Sequence, residues 1–222
     1  MREGIKRLFD LITSGAGLIV LSPLLLLVAI WIKLDSKGPV FFMQQRAGRG
    51  QTPFKIFKFR TMLHRAPESI DQNQEQVVSG GHDPRITRAG RFIRATSLDE
   101  LPQLINIFKG DMSVVGPRPV LMEQTAVVPP SYKKRFSVRP GLTGLAQVKG
   151  RRSLGWLQQL AFDAEYVDKQ SLAFDFRILL LTVKVVVTGG GVYGEAGLNW
   201  RTYRDRLNGQ PPRDSDVEEA MR

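Results

Sequence analysis

Two adjacent carboxylates, Asp99 and Glu100, lie in a segment whose residue types favour chemistry on phosphate. Pro102 follows closely, and proline is tolerated in the first turn of a helix but not in its interior, so a helix is predicted to begin near Asp99. The free N–H groups of that helix end would hold Asp99 ionised and would receive a phosphate. An ionised carboxylate beside a bound phosphate can attack phosphorus. An acidic first turn is also common in ordinary helices, so other segments must support this interpretation.

Arginines precede the two carboxylates at three-residue spacing. Residues Asp83 to Thr87 are predicted to lead into a helix that runs to about Thr96, and the spacing would place the arginines on one face. Such a stripe is typical of a solvated surface. Because it ends beside Asp99, it also permits a phosphate clamp. The arginines are Arg85, Arg88, Arg91 and Arg94.

A second candidate for anion binding is Arg118, which stands between Pro117 and Pro119. Proline restricts its own backbone and that of the residue before it, so the loop should be extended and stiff. The side chain of Arg118 would then be aimed rather than mobile. A rigid surface loop without a binding role is the plainer alternative.

The segments Val40–Met43 and Phe54–Arg60 read as two strands joined by turn residues, which predicts a hairpin. A period of two would place Lys58 and Arg60 on one face, where they could contact phosphate. Basic residues with interleaved aromatics also occur in nucleic-acid-binding proteins. The apolar segment upstream makes soluble nucleic-acid binding a poor fit, so no nucleic-acid partner is expected.

That upstream segment, Leu11–Ile32, contains 22 residues without a charge, about 33 Å of helix. Its length could span a bilayer, and it is too long for a secretory signal peptide. Ser22-Pro23 lies at its middle, where proline bends a helix and serine can satisfy the freed carbonyl. Both flanks are basic, which fits ends on the same cytoplasmic side. We therefore favour a re-entrant helix over a full span or a buried core helix.

The composition agrees with a membrane-associated, phosphate-handling protein. Lys and Arg exceed Asp and Glu by 32 − 21 = 11, and residues 1–65 contribute 11 − 3 = 8 of that excess beside the apolar segment. Such charge attracts anionic head groups and phosphate-bearing molecules. The absence of cysteine excludes disulfides and thiolate metal sites.

Two further stretches complete the organisation of the chain. The apolar segment 174–188 carries three charges and predicts an interfacial helix or a core helix with equal weight. Residues 68–81 are polar and predict a mobile loop, and residues 208–222 predict a mobile tail.

Several of these segments together resemble the monotopic phosphoglycosyl transferases, the bacterial sugar transferases. The matching stretches occur in the family's order and cover about residues 5 to 190. They are Ser22-Pro23, Lys58–Met62, Ser97–Leu104, Gly110–Ser113, Gly116–Pro119, Arg139–Gly144, and Asp163 with Tyr166.

The resemblance implies transfer of a sugar-1-phosphate from a UDP-sugar to polyprenol (undecaprenyl) phosphate with release of UMP, the first membrane step of bacterial glycoconjugate assembly. It implies that Asp99 is the nucleophile of a covalent aspartyl-phosphosugar intermediate and that Glu100 assists as acid or base. Mg²⁺ is implied at Asp99, bridging to the diphosphate.

The resemblance also implies a set of residues that contact substrate. Arg118 is expected on the nucleotide side, and Asp163 is expected to be a further active-site carboxylate. The implied location is the cytoplasmic face of the bacterial inner membrane, with the chain monotopic and in contact with membrane lipids. The substrate-contacting residues are Lys58, Arg94, Pro117, Arg118, Pro119, Arg151 and Asp163.

We therefore expect a mostly helical α+β fold with an N-terminal re-entrant membrane helix, a β-hairpin and interfacial amphipathic helices. Residues 1–37 would form the membrane helix, 38–207 the catalytic domain and 208–222 the tail. A non-catalytic basic peripheral membrane protein that binds lipid head groups is the alternative, although it leaves the carboxylate pair unexplained. The sequence identifies neither the sugar nor the downstream glycan, and it leaves a homodimer open.

Overall fold

The structure, a computed structural model, describes residues 3–65, 83–150, 153–188, 199–207 and 209–214. The segment 68–81, Arg151 and most of the tail lie outside the described residues. The fold is mostly helical with short strands, as the sequence predicts. The helices are α1 Glu3–Asp35, α2 Arg88–Ala95, α3 Gln103–Lys109, α4 Leu145–Lys149, α5 Trp156–Lys169, α6 Leu172–Thr188 and α7 Trp200–Arg206; the strands are β1 Phe41–Ala47, β2 Pro53–Phe59, β3 Ser113–Val115 and β4 Gly141–Thr143.

Helix α1 runs through Ser22-Pro23 without an interruption in its helical assignment. Pro23 lacks the N–H that would bond to the carbonyl of Ile19, and the Ser22 hydroxyl donates to that carbonyl instead at 2.7 Å. The predicted compensation by Ser22 is therefore confirmed. The helix is long and apolar enough to cross a membrane, and only 11% of its most apolar 18-residue stretch is buried.

The first turns of α1 carry buried polar side chains that bind to the rest of the protein. The Lys6 ammonium pairs with Asp175 of α6 at 2.5 Å. The Asp10 carboxylate accepts hydrogen bonds from the Ser113 hydroxyl and the Val114 N–H, both at 3.0 Å. Because buried charges are costly unless they are paired, these contacts hold the amino-terminal half of α1 against β3 and α6.

The carboxy-terminal half of α1 packs on a different part of the same body. Val28 and Ile32 are buried with Phe59 of β2 and with Ala89 and Ile93 of α2. The α1 residue Asp35 also accepts a hydrogen bond from the Ala89 N–H at 2.9 Å. Both halves of α1 therefore contact one globular unit, while the middle of the helix is largely exposed.

Strands β1 and β2 form the predicted antiparallel hairpin, with Phe41 opposite Phe59 and Ala47 opposite Pro53. The predicted cationic face of Lys58 and Arg60 is wrong. Strand β2 ends at Phe59, and Arg60 is 5% exposed. It donates to carbonyls at the end of α1, including that of Ser36 at 2.8 Å. Arg60 thus caps a helix C-terminus, where cations are favoured.

Strands β3 and β4 form a parallel pair that the sequence analysis did not predict. Each has three residues, too few for a readable periodicity. Their backbones approach closely just beyond β3, since a Cβ added at Gly141 would lie 2.1 Å from the Gly116 nitrogen. The pair brings the loop after β3 and the helix after β4 to the same side of the core, which also contains Ile56, Ile107 and Ile178.

The apolar helix α6 is neither a fully buried core helix nor fully exposed. Asp175 and Ile178 are buried, and Thr182 contacts β4 through a 2.7 Å hydrogen bond with Thr143. Its other faces leave large apolar side chains exposed, which are Leu172, Phe176, Leu180, Val183, Val186 and Val187. The helix therefore has one side packed in the core and one exposed apolar side, and its location at a membrane interface stays a prediction.

Candidate active site

The two adjacent carboxylates lie in the connection between α2 and α3. Ser97 has a left-handed backbone (φ 59°, ψ 17°) and turns the chain into a single 3₁₀ turn, Leu98–Glu100. Helix α3 begins only at Gln103, with Pro102 at its N-cap position. The predicted helix start near Asp99 is therefore wrong. The carboxylates lie in a tight turn that ends with a Leu101 N–H bond to the Leu98 carbonyl.

Glu100 is held between two cations from other parts of the chain. Its Oε1 accepts hydrogen bonds from the Lys58 ammonium of β2 and from the Arg118 guanidinium, both at 2.9 Å. Burial acts to raise the pKa of Glu100, but Arg118 and Lys58 together lower it well below its usual range. Glu100 is therefore ionised without substrate, and in that state it can accept a proton but has none to donate.

Asp99 has the opposite shift. Burial and, next, the charge of Glu100 raise the pKa of Asp99 to about 6, against the attraction of Lys58, Arg94 and Arg118. The expectation that helix dipoles hold Asp99 ionised is therefore replaced by a balance of burial and side-chain charge. Asp99 is still mainly ionised at neutral pH, and it is more basic than an ordinary aspartate, which favours nucleophilic attack.

Of the four stripe arginines, Arg94 reaches the site and lies along the same cavity as Asp99. Arg85 is paired with Asp83 at 2.5 Å. Arg88 and Arg91 are exposed. The stripe therefore does not act as a unit. One arginine contributes to the site, while the two exposed ones match the solvated-surface alternative.

The loop that carries Arg118 is held in place by the buried ion pair of Arg135 and Asp163. Arg135 donates to the Arg118 carbonyl at 2.6 Å and to Asp163 Oδ2 at 2.7 Å. The Pro117 carbonyl accepts from the Gly141 N–H at 2.8 Å, while Pro119 is half-buried. The stiff, aimed loop predicted around Arg118 is thus supported by hydrogen bonds as well as by prolines.

Asp163 is 2% exposed and Arg135 is 4% exposed, and neither lines the cavity described below. Burial raises the pKa of Asp163, against the attraction of Arg135. The structure thus places Asp163 behind the Arg118 loop, as a support, rather than on the cavity wall. Sequence reasoning missed Arg135, because nothing in its local sequence indicates a partner 28 residues away.

A further cation near the site, Arg46 of β1, was also missed. Burial and, next, the charge of Arg118 lower the pKa of Arg46 to about 10. Its guanidinium donates to the Gln44 side chain at 2.6 Å. The strand register contains the signal, since Arg46 lies opposite Phe54 and Lys58 opposite Phe42, which places Arg46 and Lys58 on one face of the hairpin.

A cavity of about 430 Å³ opens beside the carboxylates. Its charged lining residues are Asp99, Glu100, Arg94 and Arg118. Much of the remaining lining is aliphatic, including Leu142 of β4, Ala146 of α4, and Leu179 and Val186 of α6. The cavity can therefore receive a ligand that has both anionic and less polar parts.

Within the described residues no cluster of three or more Asp, Glu, His or Cys side chains could hold a metal ion by itself. Mg²⁺ is commonly bound by one or two carboxylates together with substrate phosphates. Asp99 fits that pattern, because Glu100 is already engaged by Lys58 and Arg118. The residues present therefore suit a magnesium ion that arrives with a diphosphate, held by Asp99.

Comparisons with known proteins extend over most of the chain. A family model described as bacterial sugar transferase matches residues 1–189. The chain is 43% identical over 196 residues to a UDP-glucose:undecaprenyl-phosphate glucose-1-phosphate transferase of Caulobacter vibrioides, covering 85% of this chain and 72% of that protein. It is 39% identical over 200 residues to an undecaprenyl-phosphate galactose phosphotransferase of Salmonella typhimurium, covering 85% of this chain and 42% of that protein.

We predict that Asp99→Asn raises stability in metal-free buffer while removing the candidate nucleophile. A carboxyl whose folded pKa is raised binds its proton more tightly when folded, so stability is lost as pH rises from about 4 to 6. The gain in the free energy of unfolding from Asn should be absent near pH 4 and complete above pH 6, where it is on the order of 1–3 kcal/mol. Thermal unfolding in detergent across this pH range measures it, and an equal effect at all pH values would contradict the assignment.

We predict that Asp163→Asn lowers stability by about 3 kcal/mol, because Arg135 would remain buried without a counter-charge. The double variant Asp163→Leu with Arg135→Met should recover most of that loss. It should nevertheless remain slow in sugar-phosphate transfer, because the hydrogen bond to the Arg118 carbonyl is gone. Full activity in the double variant would show that the ion pair does not position Arg118.

Proposed function

The chain belongs to the bacterial sugar transferase family, and we propose that it moves a sugar-1-phosphate from a UDP-sugar to undecaprenyl phosphate and releases UMP. The observation that carries the proposal is the grouping of Asp99, an aspartate of raised basicity, with the cations Lys58, Arg94 and Arg118. The similarity to UDP-glucose- and galactose-dependent relatives supports the same reaction class.

In the proposed first step, an Asp99 oxygen attacks the phosphorus that carries the sugar. The bond between that phosphorus and the oxygen bridging to UMP breaks, and UMP leaves with the bond's electron pair. In the second step, a phosphate oxygen of the polyprenol phosphate attacks the same phosphorus, and the bond to Asp99 breaks. The carboxylate is restored, and the product is a polyprenyl diphosphate sugar. Covalent capture lets a water-soluble donor and a membrane-bound acceptor use one site in turn.

Of the two cations bound to Glu100, Arg118 lines the cavity and can donate to the diphosphate, while Lys58 adds positive charge beside it. Lys58 and Arg118 each donate one hydrogen bond to Glu100 Oε1 at 2.9 Å, and both side chains have further N–H groups. Their charge favours the phosphate oxygens and the developing negative charge on UMP. A magnesium ion held by Asp99 would add positive charge at the same diphosphate when it is bound.

The contacts of α1 support a membrane helix that enters and leaves on one side. Lys6 and Asp10 in its first turns and Asp35 at its end all bind to the same globular unit. A globular unit cannot lie on both sides of a bilayer, so a helix tied to it at both ends cannot complete a span. We therefore propose that α1 is re-entrant, with a bend at Ser22-Pro23, and that the catalytic unit faces the cytoplasm.

The exposed apolar residues of α6 support attachment of the catalytic unit to the same leaflet. They would lie at the level of the lipid head groups, and Leu179, Thr182 and Val186 of the same helix line the cavity. Undecaprenyl phosphate carries its phosphate at that level. The proposed location is therefore the inner membrane of a bacterium, with the chain monotopic.

The reaction predicts UMP release from a UDP-sugar in the presence of undecaprenyl phosphate and Mg²⁺. Asp99→Asn should reduce the rate by at least about a thousandfold, because the nucleophile is absent. Asp168→Asn is the matched control, since Asp168 lies exposed on α5 and pairs with Lys134 at the surface. A panel of UDP-sugars would identify the donor.

Incubation with donor alone should add the mass of a sugar phosphate to Asp99, detectable by mass spectrometry of peptides. Turnover without such an adduct would refute the covalent mechanism. A basic protein that only binds lipid head groups would release no UMP. If the wild-type protein releases none, the proposed function as a whole is refuted.

Single cysteines test the topology, because the natural chain has none. Gly4→Cys and Lys37→Cys place thiols at the two ends of α1, and a side chain at Gly4 meets open space. In intact cells both should be protected from a membrane-impermeant maleimide, and both should react after permeabilisation. Labelling of one end alone in intact cells would show that α1 spans the membrane.

A further inference from the structure

Gln147 of α4 lines the cavity beside the two carboxylates and has both polar side-chain atoms unused. Its Nε2 and Oε1 are buried and have no hydrogen-bond partner within the described residues, and the residue is 8% exposed. A buried carboxamide without partners costs free energy, and folded proteins rarely leave such a group unsatisfied. Its presence on the wall of a cavity indicates that a ligand supplies the missing partners.

The Gln147 side chain packs close to the backbone at the start of its helix. Helix α4 follows β4 through Gly144, and a Cβ added at Gly144 would lie 2.9 Å from Gln147 Oε1. Three other polar side chains of the lining have partners in the protein. The Thr143 and Thr182 hydroxyls bond to each other at 2.7 Å, and Gln159 donates to the Leu154 carbonyl at 2.9 Å.

We propose that the Gln147 carboxamide binds a neutral group of the donor nucleotide sugar, one that both accepts and donates hydrogen bonds. Sugar hydroxyls and the uracil imide both have this chemistry. The inference rests on the proposed function. The cations of the lining, Arg94 and Arg118, suit the phosphates, whereas a polyprenyl chain offers no hydrogen-bonding group to an amide. Gln147 is thus a binding residue for the donor and has no part in bond making.

The test is Gln147→Met, which keeps the length of the side chain and removes both polar atoms. The KM for the donor should rise about three- to tenfold, with kcat and the acceptor KM near wild type, because binding to a neutral group is lost equally in ground and transition states. The melting temperature without ligand should be equal to or above that of wild type, since two unsatisfied polar atoms are gone.

Inhibition by UMP distinguishes the two sources of the neutral group. If the inhibition constant of UMP rises by the same factor as the donor KM, Gln147 binds the uracil. If only the donor KM rises, Gln147 binds the sugar, and the size of the effect should then differ among UDP-sugars that differ at one hydroxyl. Either result supports the proposal.

Gln124→Met is the matched control. Gln124 is also 8% exposed, but its Oε1 accepts from the Leu121 N–H at 2.7 Å and it does not line the cavity. Its replacement should lower the melting temperature and leave the donor KM unchanged. The proposal is overturned if Gln147→Met behaves in the same way, which would mean that a buried water satisfies the amide, or if only the acceptor KM rises.

The outcome is separable from that of the proposed function. If wild-type protein releases no UMP from any UDP-sugar, the proposed function fails. If wild type turns over and Gln147→Met matches it in donor KM and in inhibition by UMP, only this inference fails.

Discussion

The ion pairs at Glu100 are the interaction on which the site depends. One carboxylate oxygen joins Lys58 of β2 to Arg118 of the loop after β3, and the two cations come from segments 42 and 18 residues away from Glu100 in the chain. Because the Glu100 side chain is only 20% exposed, losing either cation would leave a poorly compensated charge, so the three segments are held together. Asp99, next in the chain, is thereby placed among cations whose hydrogen bonds are only partly used.

The long helix α1 and the active site share structural supports. Arg60 follows the strand that carries Lys58 and caps the end of α1, and Asp35 of α1 binds the start of α2, which carries Arg94. Displacement of the membrane helix would therefore disturb two of the active-site cations. Through this coupling the long apolar helix also helps to hold the charges of the candidate site in place.

Charge at the site is balanced in a way that suits two successive substrates. Glu100 offsets part of the positive charge of Lys58 and Arg118, so the cavity without substrate does not contain a fully uncompensated cationic cluster. Burial at the same time keeps Asp99 more basic than an ordinary aspartate. An aspartate of raised basicity beside partly neutralised cations fits the two-step transfer that we propose.

The sequence by itself determined the local features, because they depend on neighbours along the chain. The hairpin follows from a period of two, and the Ser22 bond to Ile19 spans three residues. The positions of Asp99 and Arg118 as site candidates followed from short motifs. Tertiary structure decided what depends on distant partners: Arg135 under the Arg118 loop, Arg60 at the end of α1, and the unsatisfied amide of Gln147. Long-range pairing leaves no periodic trace in sequence, since it is produced by packing.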